Sequence, residues 1–144
     1  MTAKEYLSQA YYIQKMIDAK CEQLEIHRHI ATKATSFITA RNMSGTDRAS
    51  KVELHAEQTL MLEEEIKEEL ERLCKVKSDI AKVIESVEDK QQRTALELYH
   101  LNFKKQWEVA KIMHYSRRQI IRILNNAWSD LDERWNTMSP REDL

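Results

Sequence analysis

The stretch QWEVAKIMHYSRRQIIRILNNAWSDL, Gln106 to Leu131, decides the fold. It reads as helix, tight turn, helix. In its second half Ile120, Leu124, Ala127 and Leu131 recur at helical intervals and form one buried face. Ser116 precedes that helix and Gln119 follows three residues on, the Ser-x-x-Gln pattern of a capping box. In the first half Trp107, Val109, Ala110 and either Ile112 or Met113 are expected to face inward. Ala110 and Ala127 are small enough to let the two helices cross closely.

Arg117, Arg118, Gln119 and Arg122 fall in the first two turns of the second helix, largely off its buried face. Cations there oppose the helix macrodipole by roughly 0.3–1 kcal/mol each, so stability alone does not account for them. A recognition helix does. Its first turns enter the major groove, where arginine pairs bidentately with guanine and glutamine with adenine. Lys104, Lys105 and His114 flank the first helix and join the candidate DNA contacts, with Ser116 orienting the set. His100 is also placed to touch phosphate. Ile121 and Ile123, expected to be exposed, would meet thymine methyl groups or a protein.

Working upstream, Leu96, Tyr99 and Leu101 are positioned to close a three-helix cluster, and Asp89 with Gln92 makes a second N-cap pair. Before it lies the most regular part of the chain. With Val52 as a heptad a position, the a residues are Val52, Thr59, Ile66, Leu73, Ile80 and Val87. The d residues are His55, Leu62, Glu69, Val76 and Val83. Most are aliphatic over five heptads, the signature of a coiled coil. Leu62, Ile66, Leu73, Val76, Ile80 and Val83 are the expected association seam, and Leu70 and Ile84 widen it into a second apolar edge. Such a helix needs a partner, either the N-terminal helix of the same chain or a second copy. No glycine or proline separates it from the next helix, so only a kink is expected between them.

The N-terminal helix opens with a Thr2–Glu5 capping box and runs to about Thr39. Tyr6, Ala10, Ile13, Ile17, Leu24, Ala31, Ala34 and Ile38 make its apolar stripe. The cluster RNMSGTDRAS, Arg41 to Ser50, reads as a loop and holds the one glycine.

Composition agrees with an all-α chain. One glycine and one proline are too few for sheets and hairpins, and charged residues make up 33%. No apolar run is long enough for a membrane span, and the N-terminus lacks the pattern of a signal peptide. The net charge of −1 hides an asymmetry. Lys51 to Glu88 carries 6 basic against 11 acidic residues, whereas Asp89 to Trp128 carries 8 against 3. That local excess suits a nucleic-acid face. Glu63, Glu64, Glu65, Glu68 and Glu69 read as a solvated helix face.

Cys21 and Cys74 read as reduced, partly buried thiols. His27 and His29 point apart on an exposed helix, and His55 on the seam suits a hydrogen-bonded histidine. No catalytic constellation, metal site or cofactor motif is found, so an enzyme is not expected.

WEVAKIMHYSRRQIIRILNNAWSDL resembles the helix-turn-helix of sigma-factor region 4. It is most similar to the phage-encoded sigma-like regulators of the ArpU/RinA type. Val109-Ala110 match the family's apolar-Ala pair, Ser116 its cap, Trp107 the aromatic that opens the first helix, and Ile120, Leu124, Ala127 and Leu131 its core. MTAKEYLSQAYYIQKMID, ATKATS and LEEEIKEELERL resemble the N-terminal half of those proteins. His114 stands where the turn often has glycine or asparagine, and Lys104 where a glycine is usual.

The resemblance implies a cytoplasmic regulator of phage or prophage transcription, often of late genes, that binds double-stranded DNA in a bacterial host. The expected organisation is a helical hairpin or coiled coil over 1–88, a helix-turn-helix domain over 89–136 and a tail over 137–144. A homodimer is expected through the first region. The competing expectation is a non-enzymatic interaction protein that binds RNA polymerase or another host protein.

Overall fold

The computed structural model describes the backbone of residues 1–41 and 46–138 and the side chains of 1–33 and 53–137. All regular elements among the described residues are helical. They are α1 (Ala3–Leu7), α2 (Gln9–Arg41), α3 (Thr46–Glu85), α4 (Lys90–Leu96) with a π-helical continuation over Glu97–Leu101, α5 (Gln106–Met113) and α6 (Arg117–Met138). No helix is long and apolar enough to cross a membrane among these residues.

The Thr2–Glu5 capping box is formed in both directions. The N-terminal helix is not continuous, however, and a turn at Ser8 divides α1 from α2. The expected loop over 41–50 is shorter than its composition suggests. Arg41 and Thr46–Ser50 are helical, and 42–45 lie outside the described residues. Serine and threonine start helices as readily as they fill loops, so composition alone set this boundary late.

The chain divides into two compact units. One is Ile13–Leu73, an antiparallel pairing of α2 with α3. Lys20 reaches Glu65 at 3.4 Å and Arg28 reaches Glu63 at 2.8 Å across it. His27 is half-buried, with its Nδ1 3.4 Å from that of His55, so it is not the exposed surface residue expected. Ile13, Ile17, Leu24 and Leu73 are buried, while Leu62 and Ile66 are half-buried. The a-position Thr59 turns its hydroxyl onto the His55 carbonyl. Cys21 in this unit and Cys74 in the other are free and exposed, since both lie off the apolar stripes. Ala34, Ile38 and Val52 belong to the expected stripes but lie outside the described side chains.

The second unit joins Met1–Tyr12 to the chain from Cys74 onward. The expected domain border at Glu88–Asp89 falls on a real helix break. The core, however, crosses it. Ile80, Ile84 and Val87 are buried inside this unit, with Val76 and Val83 half-buried. Ile80 is therefore covered by its own chain and is not free to form a seam with a second copy. The expected kink after α3 is instead a non-helical link. Asp89 adopts extended backbone and accepts from the N–H groups of Gln91 and Gln92, so a new helix starts there. Arg93 and Arg134 donate to the Val87 and Ser86 carbonyls and so satisfy the link that follows α3.

α1 packs on α6. The Ala3 N–H donates to the Asp132 carboxylate at 2.7 Å, so a residue 129 positions away completes the cap of the first helix. Tyr6 meets Trp135 edge to face at 5.2 Å.

A candidate nucleic-acid interface on the helix-turn-helix

α4, α5 and α6 form the three-helix cluster expected from the sequence, with α6 packed on both α4 and α5. Ile120, Leu124, Ala127 and Leu131 are buried, as are Val109, Ala110 and Leu96. Tyr99 and Leu101 are half-buried, as are Ile121 and Ile123, which were expected to be exposed. One inward assignment changes. Trp107 is 56% exposed, because the face of α5 that meets α6 is the Val109–Ala110–Met113 side. Of the two alternatives at the end of this helix, Met113 is the half-buried one and Ile112 is exposed.

The turn is a Schellman motif. His114 adopts the left-handed conformation (φ 59°, ψ 39°), and the Tyr115 N–H donates to the Ala110 carbonyl at 3.0 Å. A histidine Cβ is unfavourable there, by about 1–2 kcal/mol, and glycine escapes that cost while losing more freedom on folding. His114→Gly is therefore expected to stabilise the chain by roughly 0.5–1 kcal/mol. Urea unfolding of the two chains at neutral pH measures it, and a loss of stability would show that the imidazole itself holds the turn.

α6 begins as the sequence predicts. The Gln119 N–H donates to Ser116 Oγ at 3.2 Å, and Gln119 Oε1 accepts from the Ser116 N–H at 3.0 Å. This box fixes the helix start and with it the direction of the next side chains. Arg117, Arg118, Gln119 and Arg122 are all exposed. None of the three arginines is in an ion pair among the described residues. Gln119 is committed to the cap, so its reach to a base competes with the hydrogen bond to Ser116. Lys105 and His114 are exposed and Lys104 is half-exposed, so the flanking cations lie at the surface near the same helix start.

The buried histidine of this unit is not a phosphate contact. His100 is 2% exposed and accepts from Trp128 Nε1–H at 2.9 Å. Burial lowers its pKa from 6.5 to about 4; a hydrogen bond to the Leu7 backbone works against this, and the Lys4 ammonium adds to it. The ring is neutral at pH 7, with Nε2 as acceptor for Trp128 and Nδ1–H left to donate to Leu7. Trp128 itself is buried and carries Lys4 over its ring at 4.7 Å. Neither Trp128 nor His100 stood out as core in the sequence. A helical wheel extended from Leu124 through Trp128 to Leu131 would have found the first.

What this surface offers is cationic donors with no ion-pair partner among the described residues. Three guanidinium groups stand on a rigid helix start, beside backbone N–H groups that favour an anion. Among the described residues no group of three His, Cys, Asp or Glu side chains is placed to hold a metal ion. No curated protein and no solved structure matches the chain. The family described as "Protein of unknown function (DUF1492)" matches residues 33–132, which run from within α2 to the buried face of α6. That match covers more than half of the chain, and the chain belongs to the DUF1492 family.

Proposed function

We propose that the chain is a duplex-DNA-binding regulator of transcription that reads its site with the start of α6. The carrying observation is the exposed set Arg117, Arg118 and Arg122, with no ion pair among the described residues, on a helix start fixed by the Ser116–Gln119 box. Their placement against the macrodipole is explained by an anion that meets them. The resemblance to phage sigma-like regulators narrows the proposal to phage or prophage genes, with activation of late genes as the expected outcome. An electrophoretic shift with the DNA upstream of the protein's own coding region tests it. Binding should weaken steeply with salt, since each phosphate contact releases counterions. A mobility unchanged at any protein concentration would end the reading. A second reading, contact with RNA polymerase or another host protein, is favoured by the exposed Trp107 and Ile112 on α5.

The hairpin unit leaves an apolar surface of its own. Ile26, Ile30, Leu54, Leu60 and Met61 are all exposed, as is Leu70. Several large apolar side chains left exposed on one helical unit are surface that association can cover. We therefore expect a homodimer through this unit, with those residues in place of the a and d seam. Light scattering at micromolar concentration should give twice the chain mass of 17.1 kDa. A monomer mass would mean that the hairpin is sufficient by itself.

A further inference from the structure

A cleft of about 580 Å³ opens at the start of the recognition helix, within the unit that holds α4 to α6. α1, the first turn of α2, the link before α5 and the first residue of α6 contribute to its lining. Two features coincide in it. The first is charge. Lys4, Lys104, Lys105 and Arg117 line it, and among the described residues no carboxylate does, in a chain whose net charge is −1. The second is uncovered aromatic surface. Tyr12 is 68% exposed, Trp107 56% and Tyr11 42%.

Phe103 is part of the same lining and is held there. Its backbone is left-handed (φ 57°), uncommon for a bulky residue, its ring lies edge-on to Tyr11 at 6.0 Å, and Lys77 Nζ sits 4.6 Å from its centroid. A cleft serving only the core would bury these rings, and a surface serving only solvation would not gather them among lysines.

Cations alone would fit any phosphate, and rings alone would fit a protein. Together, without acceptors of opposite charge, they fit a group with a flat π-face and a phosphate attached. The volume lies in the range of small-ligand sites and suits one or two nucleotides. Only a peptide that is both acidic and aromatic would answer the same cations and rings.

We propose that this cleft holds an unpaired nucleotide of a DNA strand, with the base stacked on Tyr12 or Trp107 and the phosphates against Lys104, Lys105 and Arg117. The inference rests on the duplex reading only for the source of the strand. Arg117 belongs to both surfaces, so a strand leaving a duplex seated on α6 passes the cleft mouth.

The test uses the full chain and a fluorescein-labelled ten-thymidine oligonucleotide. Wild-type protein should bind it, and Trp107→Ala and Tyr12→Ala should each weaken it by roughly 5- to 150-fold, the range for one lost stacking contact. Trp107→Phe should recover most of that loss. Both rings are exposed, so the variants should keep their helical circular dichroism. Should one of them unfold, the other decides. Duplex binding through Arg118 and Arg122 should be unchanged in these variants, and R118A/R122A should keep the oligonucleotide. Oligonucleotide binding that is absent, or equal in wild type and both alanine variants, overturns the proposal. So does Trp107-dependent binding of an acidic aromatic decapeptide in place of the oligonucleotide, which would make the cleft a peptide site. Loss of duplex binding alone would overturn the recognition-helix reading and leave this one standing.

Discussion

Alanine at Arg117, Arg118 and Arg122 together is expected to cut duplex affinity by roughly a hundredfold or more while leaving the fold intact. Each arginine lost from a base edge costs about 1–3 kcal/mol and relaxes specificity at one position. Each one lost from a phosphate weakens all sequences alike and flattens the salt slope by about 0.9 in log units. The salt series therefore sorts the three. The fold should survive because all three are exposed, while Ile120, Leu124, Ala127 and Leu131 carry the burial on α6. Thermal stability should even rise slightly, since two cations leave the first turn of a helix. Ser116→Ala acts differently. It removes the hydroxyl that accepts from Gln119 and should cost about 1 kcal/mol of stability. Retained affinity in the folded triple variant would remove the recognition-helix assignment and promote the protein-binding reading.

Acid should destabilise the chain through one residue, by about 3 kcal/mol. In the unfolded chain His100 takes up a proton as pH falls through its ordinary value of 6.5, whereas the buried ring resists until about pH 4. Between those values the unfolded state binds more protons, so stability falls as pH falls. The loss is complete below about pH 4, and this group contributes no pH dependence well above 6.5. The interval corresponds to about 3 kcal/mol at 1.36 kcal/mol per pKa unit. His100→Gln cannot take up that proton and still offers an acceptor to the Trp128 N–H. Its stability at pH 7 should be lower, but the wild-type decline between pH 6.5 and 4 should be missing by that amount. Urea unfolding across this range compares the two. Parallel curves would mean that the His100 ring is hydrated in solution.

Some of this molecule was legible because its signals are local. Capping needs only residues three apart, so the Thr2–Glu5 and Ser116–Gln119 boxes, and the Asp89 cap, were readable directly. Helical periodicity needs only one turn of repetition, which placed Ile120, Leu124, Ala127 and Leu131 in the core. Charge at a helix start is equally local, and the exposed arginines of α6 follow from it.

Other features depended on what each helix meets. The heptads over α3 mark an apolar stripe but cannot name its partner. The tertiary structure assigns Leu73 to a hairpin and Ile80 to the core around the helix-turn-helix. Trp107 and Trp128 are the same residue type in neighbouring helices. One is exposed because α5 turns Val109 and Ala110 toward α6, whereas the other is buried against Tyr99 and His100 and beneath Lys4. The Ala3–Asp132 hydrogen bond and the Trp128–His100 pair link positions far apart in the chain, which no local pattern encodes. The sequence by itself determined which stretches are helical, the capped starts of α1, α4 and α6, and the charged faces, since these are set within one or two turns. Tertiary structure decided which apolar faces are already covered, which histidine is neutral, and which rings stand open beside the arginines, since burial depends on neighbours that only the folded chain supplies.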